Sequence, residues 1–214
     1  MWILKASLVF VMVLSVFAAT PCCIDREFEA DTGVIGSSFR KDVFYPIEGF
    51  NTMSYDSHNQ MVNMQVTVVV NGNIVQNKIL MNYNNKREYV IRNGKCTVYE
   101  LNTAIRDPCI PANATYLRSP IYGYGSNTLE ADTWEYVQPA SGAFNRLSVT
   151  KDSCVPLVLA QYNPHAPLSD NTTQTDLVLI YSNFRIGIKD RKVFSVPDSC
   201  ANQPVQKPVG LPIF

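Results

Sequence analysis

Apolar and polar residues alternate between residues 61 and 101, and two Asn-Gly pairs interrupt the alternation. The run MVNMQVTVVV ends at Asn71-Gly72, and Asn93-Gly94 separates REYVIR from KCTVYEL. Asn and Gly both tolerate positive φ, so such a pair between apolar runs predicts a two-residue hairpin turn. With a further turn at 84–86, the segment predicts a four-stranded antiparallel meander.

The side-chain faces predict the register of this meander. With a middle turn of three residues, the predicted cross-strand pairs are Val68 with Val75, Val66 with Asn77, Met64 with Ile79, Met81 with Tyr89, Ile79 with Ile91, Ile91 with Cys96, Tyr89 with Val98 and Arg87 with Glu100. One face then collects the residues that we expect to line a pocket: Val62, Met64, Val66, Val68, Val75, Ile79, Met81, Tyr89, Ile91 and Val98. A slip of one residue would mix apolar and polar side chains on both faces.

Apolar segments elsewhere predict five more strands, at 43–50, 128–137, 143–149, 155–162 and 176–187. Residues 177–181 are continuously apolar, which is typical of a strand covered on both faces. No repeat and no convincing long helix interrupts this pattern. The residues therefore predict an all-β, antiparallel domain over 20–203. The Pro-rich tail at 204–214 is expected to be extended or loose.

Residues 1–19 have the layout of a secretory signal peptide. Lys5 precedes an apolar run at 8–14, and the small residues Ala18 and Ala19 follow. The run is shorter than the roughly 20 residues that a membrane span needs, and no later segment is apolar enough to cross a bilayer. We expect a secreted protein, with delivery to lysosomes as an open alternative because it begins with the same signal.

Composition excludes two broad classes. Lys plus Arg and Asp plus Glu both number 18, and this balance argues against a nucleic-acid binder, which usually carries a strongly basic face. Hydrophobic residues make up 46% of the chain and charged residues 17%, whereas intrinsic disorder needs the opposite balance.

Six cysteines follow the leader. They are Cys22, Cys23, Cys96, Cys109, Cys154 and Cys200. An even number in an exported chain predicts disulfides, and the absence of a CxxC spacing disfavours a metal site. A bridge between the neighbours Cys22 and Cys23 would be strained, so these two are expected to tie the N-terminus to two distant places. The sequons at Asn113 and Asn171 predict N-glycosylation.

Side chains with obvious chemistry are few. His58 and His165 are the two histidines, and neither stands in a metal-binding spacing or near a GxSxG elbow. The sequence therefore predicts a protein that is not an enzyme and requires no cofactor. Asp25, Glu27, Glu29 and Asp31 alternate along the chain. They could contribute to a Ca²⁺ site, but a solvated charged strand or tail is the favoured interpretation because no EF-hand pattern is present.

The apolar face of the meander has two interpretations. Met64 and Met81 are flexible and suit a surface that accepts varied apolar shapes, such as a lipid pocket. Composition alone favours an ordinary sandwich core. The hydrophobic pattern does not decide between the two.

Further evidence comes from motifs in the C-terminal half. The segments TKDSCVP at 150–156, FRIGIKD at 184–190 and VFSVPDSC at 193–200 resemble conserved segments of the ependymin-related proteins. Trp134 and Cys96 also fit this pattern. The resemblance extends from Cys22 to Cys200 and is most specific in the last part of that range.

The resemblance implies a fold and a set of bridges. The implied fold is two stacked, curved antiparallel sheets, similar to bacterial lipoprotein carriers, around a deep apolar pocket. The implied disulfides join Cys96 to Cys200 and Cys154 to one of Cys22 and Cys23. Cys109 departs from the vertebrate pattern and is expected to take the remaining N-terminal cysteine.

The resemblance also implies a function. We expect a secreted, N-glycosylated homodimer that binds a hydrophobic small molecule, a lipid or fatty acid, and has a possible association with Ca²⁺. The alternative is an extracellular-matrix, cell-adhesion or signalling glycoprotein without a lipid ligand. An unfilled cavity would favour the first interpretation and a filled core the second.

Overall fold

A computed structural model describes most of the chain. It covers residues 19–40, 43–70, 73–138, 142–162 and 174–207. Nearly all of the expected signal peptide, the Asn71-Gly72 turn, His165, the sequon at Asn171 and the last residues of the tail lie outside the described residues.

The described residues are mainly β-strand. The strands are β1 (Glu27–Arg40), β2 (Val43–Asp56), β3 (Met61–Val70), β4 (Asn73–Asn82), β5 (Arg87–Arg92), β6 (Lys95–Glu100), β7 (Thr115–Arg118), β8 (Ile121–Tyr124), β9 (Asn127–Val137), β10 (Phe144–Thr150), β11 (Pro156–Tyr162), β12 (Gln174–Ile186) and β13 (Val205–Gln206). Two short 3-10 helices, Arg191–Phe194 and Asp198–Cys200, precede β13. The all-β prediction is confirmed.

Hydrogen bonds join these strands into one curved sheet. Its strand order is β13-β6-β5-β4-β3-β2-β1-β12-β11-β10-β9-β7, with β8 beside β9. The pairing of β1 with β12 joins strands from the two ends of the chain and connects the N-terminal and C-terminal halves of the sheet. The described strands therefore form one continuous sheet, where the resemblance implies two separate stacked sheets. The tail contributes β13, which pairs with β6 in parallel.

The meander is confirmed as β3 to β6, with one error of register. Val68 pairs with Val75 in the first hairpin and Tyr89 with Val98 in the last, as predicted. Between β4 and β5, however, Met81 pairs with Glu88 instead of Tyr89. The prediction for this turn was wrong because the turn spans four residues, 83–86.

The side chain of Asn82 explains the longer turn. Its Oδ1 accepts hydrogen bonds from the backbone N–H groups of Asn84 (3.1 Å) and Asn85 (3.2 Å). A side-chain acceptor of this kind offers the backbone an alternative to the strand ladder. Since side chains alternate along a strand, the one-residue difference moves every later residue of the meander to the other face.

The two faces of the sheet consequently carry different groups. We call the face with Val62, Met64 and Met81 the inner face, and the opposite one the outer face. Three residues of the predicted pocket set, Tyr89, Ile91 and Val98, lie on the outer face. We call the cluster that they belong to the outer cluster; its buried residues are Leu80, Tyr89, Cys96, Val98, Phe194 and Cys200, and Ile91 packs against them. The expectation that Tyr89, Ile91 and Val98 line a pocket with Met81 is therefore wrong.

The strand β12 corrects a second expectation. Leu177 and Leu179 are buried on the inner face, whereas Ile180 on the outer face is 45% exposed. The apolar run 177–181 is thus covered on one face and largely open on the other.

Candidate binding cavity

A cavity of about 350 Å³ lies against the inner face of the sheet. Strands β1–β4 and β9–β12 and the segment 103–109 contribute to its walls. Its walls are mainly apolar, and the apolar side chains include Phe28, Met53, Val62, Met64, Met81, Leu147, Leu159, Leu177 and Leu179. The inner side chains of these strands therefore do not fill the space between them.

The predicted pocket residues fall into three groups. Val62, Met64 and Met81 line the cavity. Another group packs in the buried cluster on the same face, beside the cavity: Val66, Val68, Val75 and Ile79. The third group, Tyr89, Ile91 and Val98, belongs to the outer cluster as described above.

Sequence reasoning missed the other half of the lining. Leu147, Leu159, Leu177 and Leu179 come from strands that were predicted but not assigned to a pocket. The alternation of Leu177, Leu179 and Tyr181 was the available signal for the inner face of β12. The segment 103–109 had no such signal, because it contains no periodic pattern.

Two disulfides hold the N-terminus near the cavity. Cys23 bonds to Cys109, and Cys22 bonds to Cys154. The third bridge joins Cys96 to Cys200 in the outer cluster. All three fit the pairing that the resemblance implies, and the choice between Cys22 and Cys23 that the sequence left open is settled.

Backbone hydrogen bonds reinforce the Cys23–Cys109 bridge. The Ile24 N–H donates to the Pro108 carbonyl (3.0 Å), and the Ile110 N–H donates to the Cys22 carbonyl (2.9 Å). Segment 103–109 is thereby held against the N-terminus where it lines the cavity.

Arg106 is the cation of the cavity lining. Its Nη2 donates to the Tyr136 hydroxyl (2.8 Å) and to Asn145 Oδ1 (3.3 Å), and both of these residues are buried. The Tyr55 hydroxyl donates to the backbone carbonyl of Arg106. Strands β2, β9 and β10 therefore fix both the backbone and the side chain of this residue.

Apart from Asp107, the other polar side chains of the lining are neutral groups. Asn51 is 1% exposed; its Nδ2 donates to Thr32 Oγ1 (3.3 Å), and its Oδ1 has no hydrogen-bond partner among the described residues. Burial raises the pKa of Tyr55 to about 12 and the pKa of Tyr83 to about 12, and it also raises the pKa of Tyr181. These phenols consequently keep their protons near neutral pH, and the hydroxyls of Tyr55 and Tyr83 act as hydrogen-bond donors.

The acidic residues of β1 lie on the outer face, each with its own partner. Glu29 pairs with Arg185 (2.7 Å) and Glu27 with Arg191 (2.7 Å). Asp31 accepts hydrogen bonds from Thr52 Oγ1 and Asn183 Nδ2. Within the described ranges, no three or more His, Cys, Asp or Glu side chains converge as metal ligands would. Ca²⁺ binding stays a prediction.

Two further residues singled out by the sequence lie on the surface. Asn113 is exposed in a turn that the Ala114 N–H closes by donating to the Pro111 carbonyl (2.9 Å). His58 is exposed in the turn between β2 and β3. The position of Asn113 leaves room for a glycan, and glycosylation there stays a prediction.

Comparison with known proteins decides the family. The family model named Ependymin matches residues 71–200, which is more than half of the chain. The chain belongs to the ependymin family. A relative from Haliotis asinina, Ependymin-related protein 1, is 24% identical over 209 residues, and the match covers 92% of this chain and 98% of that protein.

A solved structure shows a more distant likeness. A DUF1329 family protein from Desulfovibrio piger is 10% identical, with a TM-score of 0.36, over 79% of this chain and 89% of that one. A likeness at this TM-score supports no conclusion about function.

Family membership and the three disulfides fit an exported protein. None of the helices in the described part of the chain has the length and apolar character that crossing a membrane requires.

Proposed function

We propose that this ependymin-family protein is a secreted glycoprotein that binds a hydrophobic ligand, a lipid or fatty acid, in the cavity of the inner face. The observation that carries the proposal is the unfilled volume of about 350 Å³ between apolar side chains of eight strands. Ligand sites are concave, mainly apolar and typically about 300–1,000 Å³.

Apolar contact in such a cavity provides enough free energy for weak to moderate lipid binding. Burying about 300 Å² of acyl chain at about 25 cal/mol per Å² contributes about 7 kcal/mol before ordering costs. Micromolar affinity corresponds to about 8 kcal/mol. A lipid in this cavity would therefore bind weakly to moderately from apolar contact alone, and polar contacts would add to that.

Native mass spectrometry tests this function directly. The protein, secreted from eukaryotic cells so that disulfides and glycans form, is analysed before and after extraction with organic solvent. We expect added mass that extraction removes and that lipid analysis assigns to acyl chains. A protein that carries no lipid and takes up none when lipids are supplied would contradict the proposal.

A second candidate function rests on the outer face. Phe50 is 60%, Ile35 58% and Ile180 45% exposed, and Phe50 and Ile180 both pair with Gly33 between them. Adjacent exposed apolar side chains of this kind are typical of protein contact surfaces. We propose that a second copy of the chain covers them, which gives a homodimer.

The homodimer is tested by light scattering coupled to size-exclusion chromatography. Phe50→Ser with Ile180→Ser should convert a dimer to a monomer, and Arg146→Ser on β10, away from these residues, serves as the control. A wild-type monomer would contradict the dimer, and binding of matrix proteins by that monomer would favour the adhesive alternative.

A further inference from the structure

We propose that Arg106 is the specificity-determining residue of the cavity, and that it selects single-chain lipids with a carboxylate headgroup. This inference rests on the proposed lipid-binding function and adds the class of headgroup and the residue that recognises it.

The guanidinium of Arg106 has unused binding capacity. Its two hydrogen bonds both leave from Nη2, and both acceptors are neutral groups. Within the described residues, Nη1 and Nε have no partner, and Arg106 takes part in none of the ion pairs. Guanidinium presents several N–H donors in a planar fork that matches a carboxylate.

The surroundings of Arg106 favour an anion. The residue lines a cavity whose walls are mainly apolar, where a cation without a counter-charge is poorly solvated. A bound carboxylate would supply that charge through charge-assisted hydrogen bonds, which are stronger than those between neutral groups.

Arg106 is also held in position before any ligand arrives. Tyr55 holds its carbonyl, Tyr136 and Asn145 hold its Nη2, and the Cys23–Cys109 bridge anchors the segment that carries it. A preorganised group loses little conformational freedom on binding, so more of the interaction energy contributes to affinity.

Charge balance favours a carboxylate over a phosphate monoester. Asp107 also lines the cavity, and its Oδ1 accepts the Cys109 N–H (2.9 Å). The Asp107 carboxylate repels a headgroup with two negative charges more strongly than a headgroup with one, which favours a carboxylate. The headgroup is expected at the segment that carries Arg106, and the acyl chain among the apolar lining residues of the strands.

Asn51 gives independent support for a ligand with polar groups. It is buried in the same lining, and one end of its amide has no partner. A buried polar atom without a partner carries a desolvation cost that a polar ligand atom or a ligand-bound water would relieve. A wholly apolar ligand would leave that cost in place.

Binding of three probes tests the inference. Oleate, oleyl alcohol and lysophosphatidate carrying an oleoyl chain are titrated into the glycosylated, disulfide-bonded wild type. The same titrations are made with Arg106→Met, Arg106→Lys and the control Arg146→Met. Arg146 is an exposed residue on β10 that pairs with Glu135.

We expect Arg106→Met to weaken oleate binding by about tenfold or more, because charge-assisted hydrogen bonds are lost, and to change oleyl alcohol binding by less than about twofold. Arg106→Lys should bind oleate with intermediate affinity, since it keeps the charge and loses the fork. Arg146→Met should behave as wild type for all three probes.

The remaining outcomes separate the two proposals. Equal wild-type affinity for oleate and oleyl alcohol, unchanged in the Arg106 variants, would overturn the role of Arg106 and leave the lipid cavity standing. A preference for lysophosphatidate would overturn the carboxylate class. Failure of wild type to bind any probe would overturn the proposed function together with this inference. Should Arg106→Met fail to fold, the role of Arg106 is still tested by the preference of the wild type for oleate over oleyl alcohol and by the affinities of Arg106→Lys.

Discussion

Arg191 Nη1 lies 2.9 Å from Asp56 Oδ2, and Asp56 is fully buried at the end of β2. Asp56 also accepts hydrogen bonds from the backbone N–H (2.8 Å) and the side-chain Nδ2 (2.7 Å) of Asn59. Arg191 reaches Glu27 on β1 with its other terminal nitrogen. One carboxylate therefore orders the β2–β3 turn and ties the first 3-10 helix to the sheet.

Asp56→Asn should destabilise the fold by about 1.5–3 kcal/mol, because the fully buried carboxylate loses its charge-assisted hydrogen bond from the half-exposed Arg191 and Asn59 loses an acceptor. Denaturant unfolding measures this change. Glu130→Gln is the matched control: it removes the exposed pair with Lys151, and we expect a change below about 1 kcal/mol. Equal effects of the two substitutions would contradict the role given to Asp56.

The same carboxylate should shape the acid limb of the stability curve. Burial alone would raise the pKa of Asp56, but hydrogen bonds from Asn59 and the Arg191 guanidinium outweigh burial and hold the pKa below its usual value. Its contribution is present above the ordinary aspartate pKa and lost as the pH falls through the lowered one. Unfolding free energies measured across this range should show a shallower acid limb in Asp56→Asn than in wild type.

Glu88 should affect the pH dependence of stability in the direction opposite to Asp56. Burial raises the pKa of this carboxyl group. Its contribution is present below the ordinary glutamate pKa and lost as the pH rises through the raised one. Glu88→Gln should therefore gain stability relative to wild type on the neutral side, as measured by unfolding at several pH values. A wild-type curve and a variant curve that run parallel would contradict the pKa shift.

The disulfides should separate stability from ligand binding. Cys96→Ser with Cys200→Ser removes a bridge of the outer cluster, and Cys23→Ser with Cys109→Ser removes the one beside the cavity. Each removal should cost about 4.5–5 kcal/mol in the chain-entropy description. Below the unfolding transition, lipid affinity should fall only in the second variant, because only that bridge anchors the segment of Arg106. Equal losses of affinity in both would contradict this assignment.

The outer cluster offers a further test of the β4–β5 register. Leu80 is fully buried there, opposite Tyr89, while its neighbour Met81 faces the cavity. Leu80→Ala should cost about 2–5 kcal/mol of stability through the cavity it leaves, with lipid affinity unchanged in the folded protein. A large loss of lipid affinity would place Leu80 on the inner face and contradict the observed register.

Local signals made part of this fold predictable. Asn93-Gly94 and the alternation around it gave the β5–β6 register, because a two-residue turn leaves few alternatives. The β4–β5 register depends on Asn82 accepting two backbone N–H groups, and the hydrophobic pattern does not show which Asn side chain does so. The strand β1 looked like a charged segment, because Glu27, Glu29 and Asp31 occupy the outward positions of its first half.

The candidate site was less predictable, because its parts are distant in sequence. Tyr55 bonds to Arg106 across 51 positions, and Arg106 bonds to Asn145 across 39. No spacing rule connects such residues; the pairing of β1 with β12 brings the two halves of the sheet to one cavity. All residues that the sequence predicted to line the pocket therefore came from the meander.

Filling the cavity with a larger side chain tests the account most directly. Met53 lines the cavity on β2, and the exposed Gln65 lies on the outer face of β3. Displacement of a fluorescent fatty acid is titrated for wild type, Met53→Trp and Gln65→Trp. We expect Met53→Trp to weaken binding at least about tenfold, since the indole occupies the space of the acyl chain, and Gln65→Trp to bind as wild type. Unchanged affinity in a folded Met53→Trp protein would show that lipid does not enter this cavity.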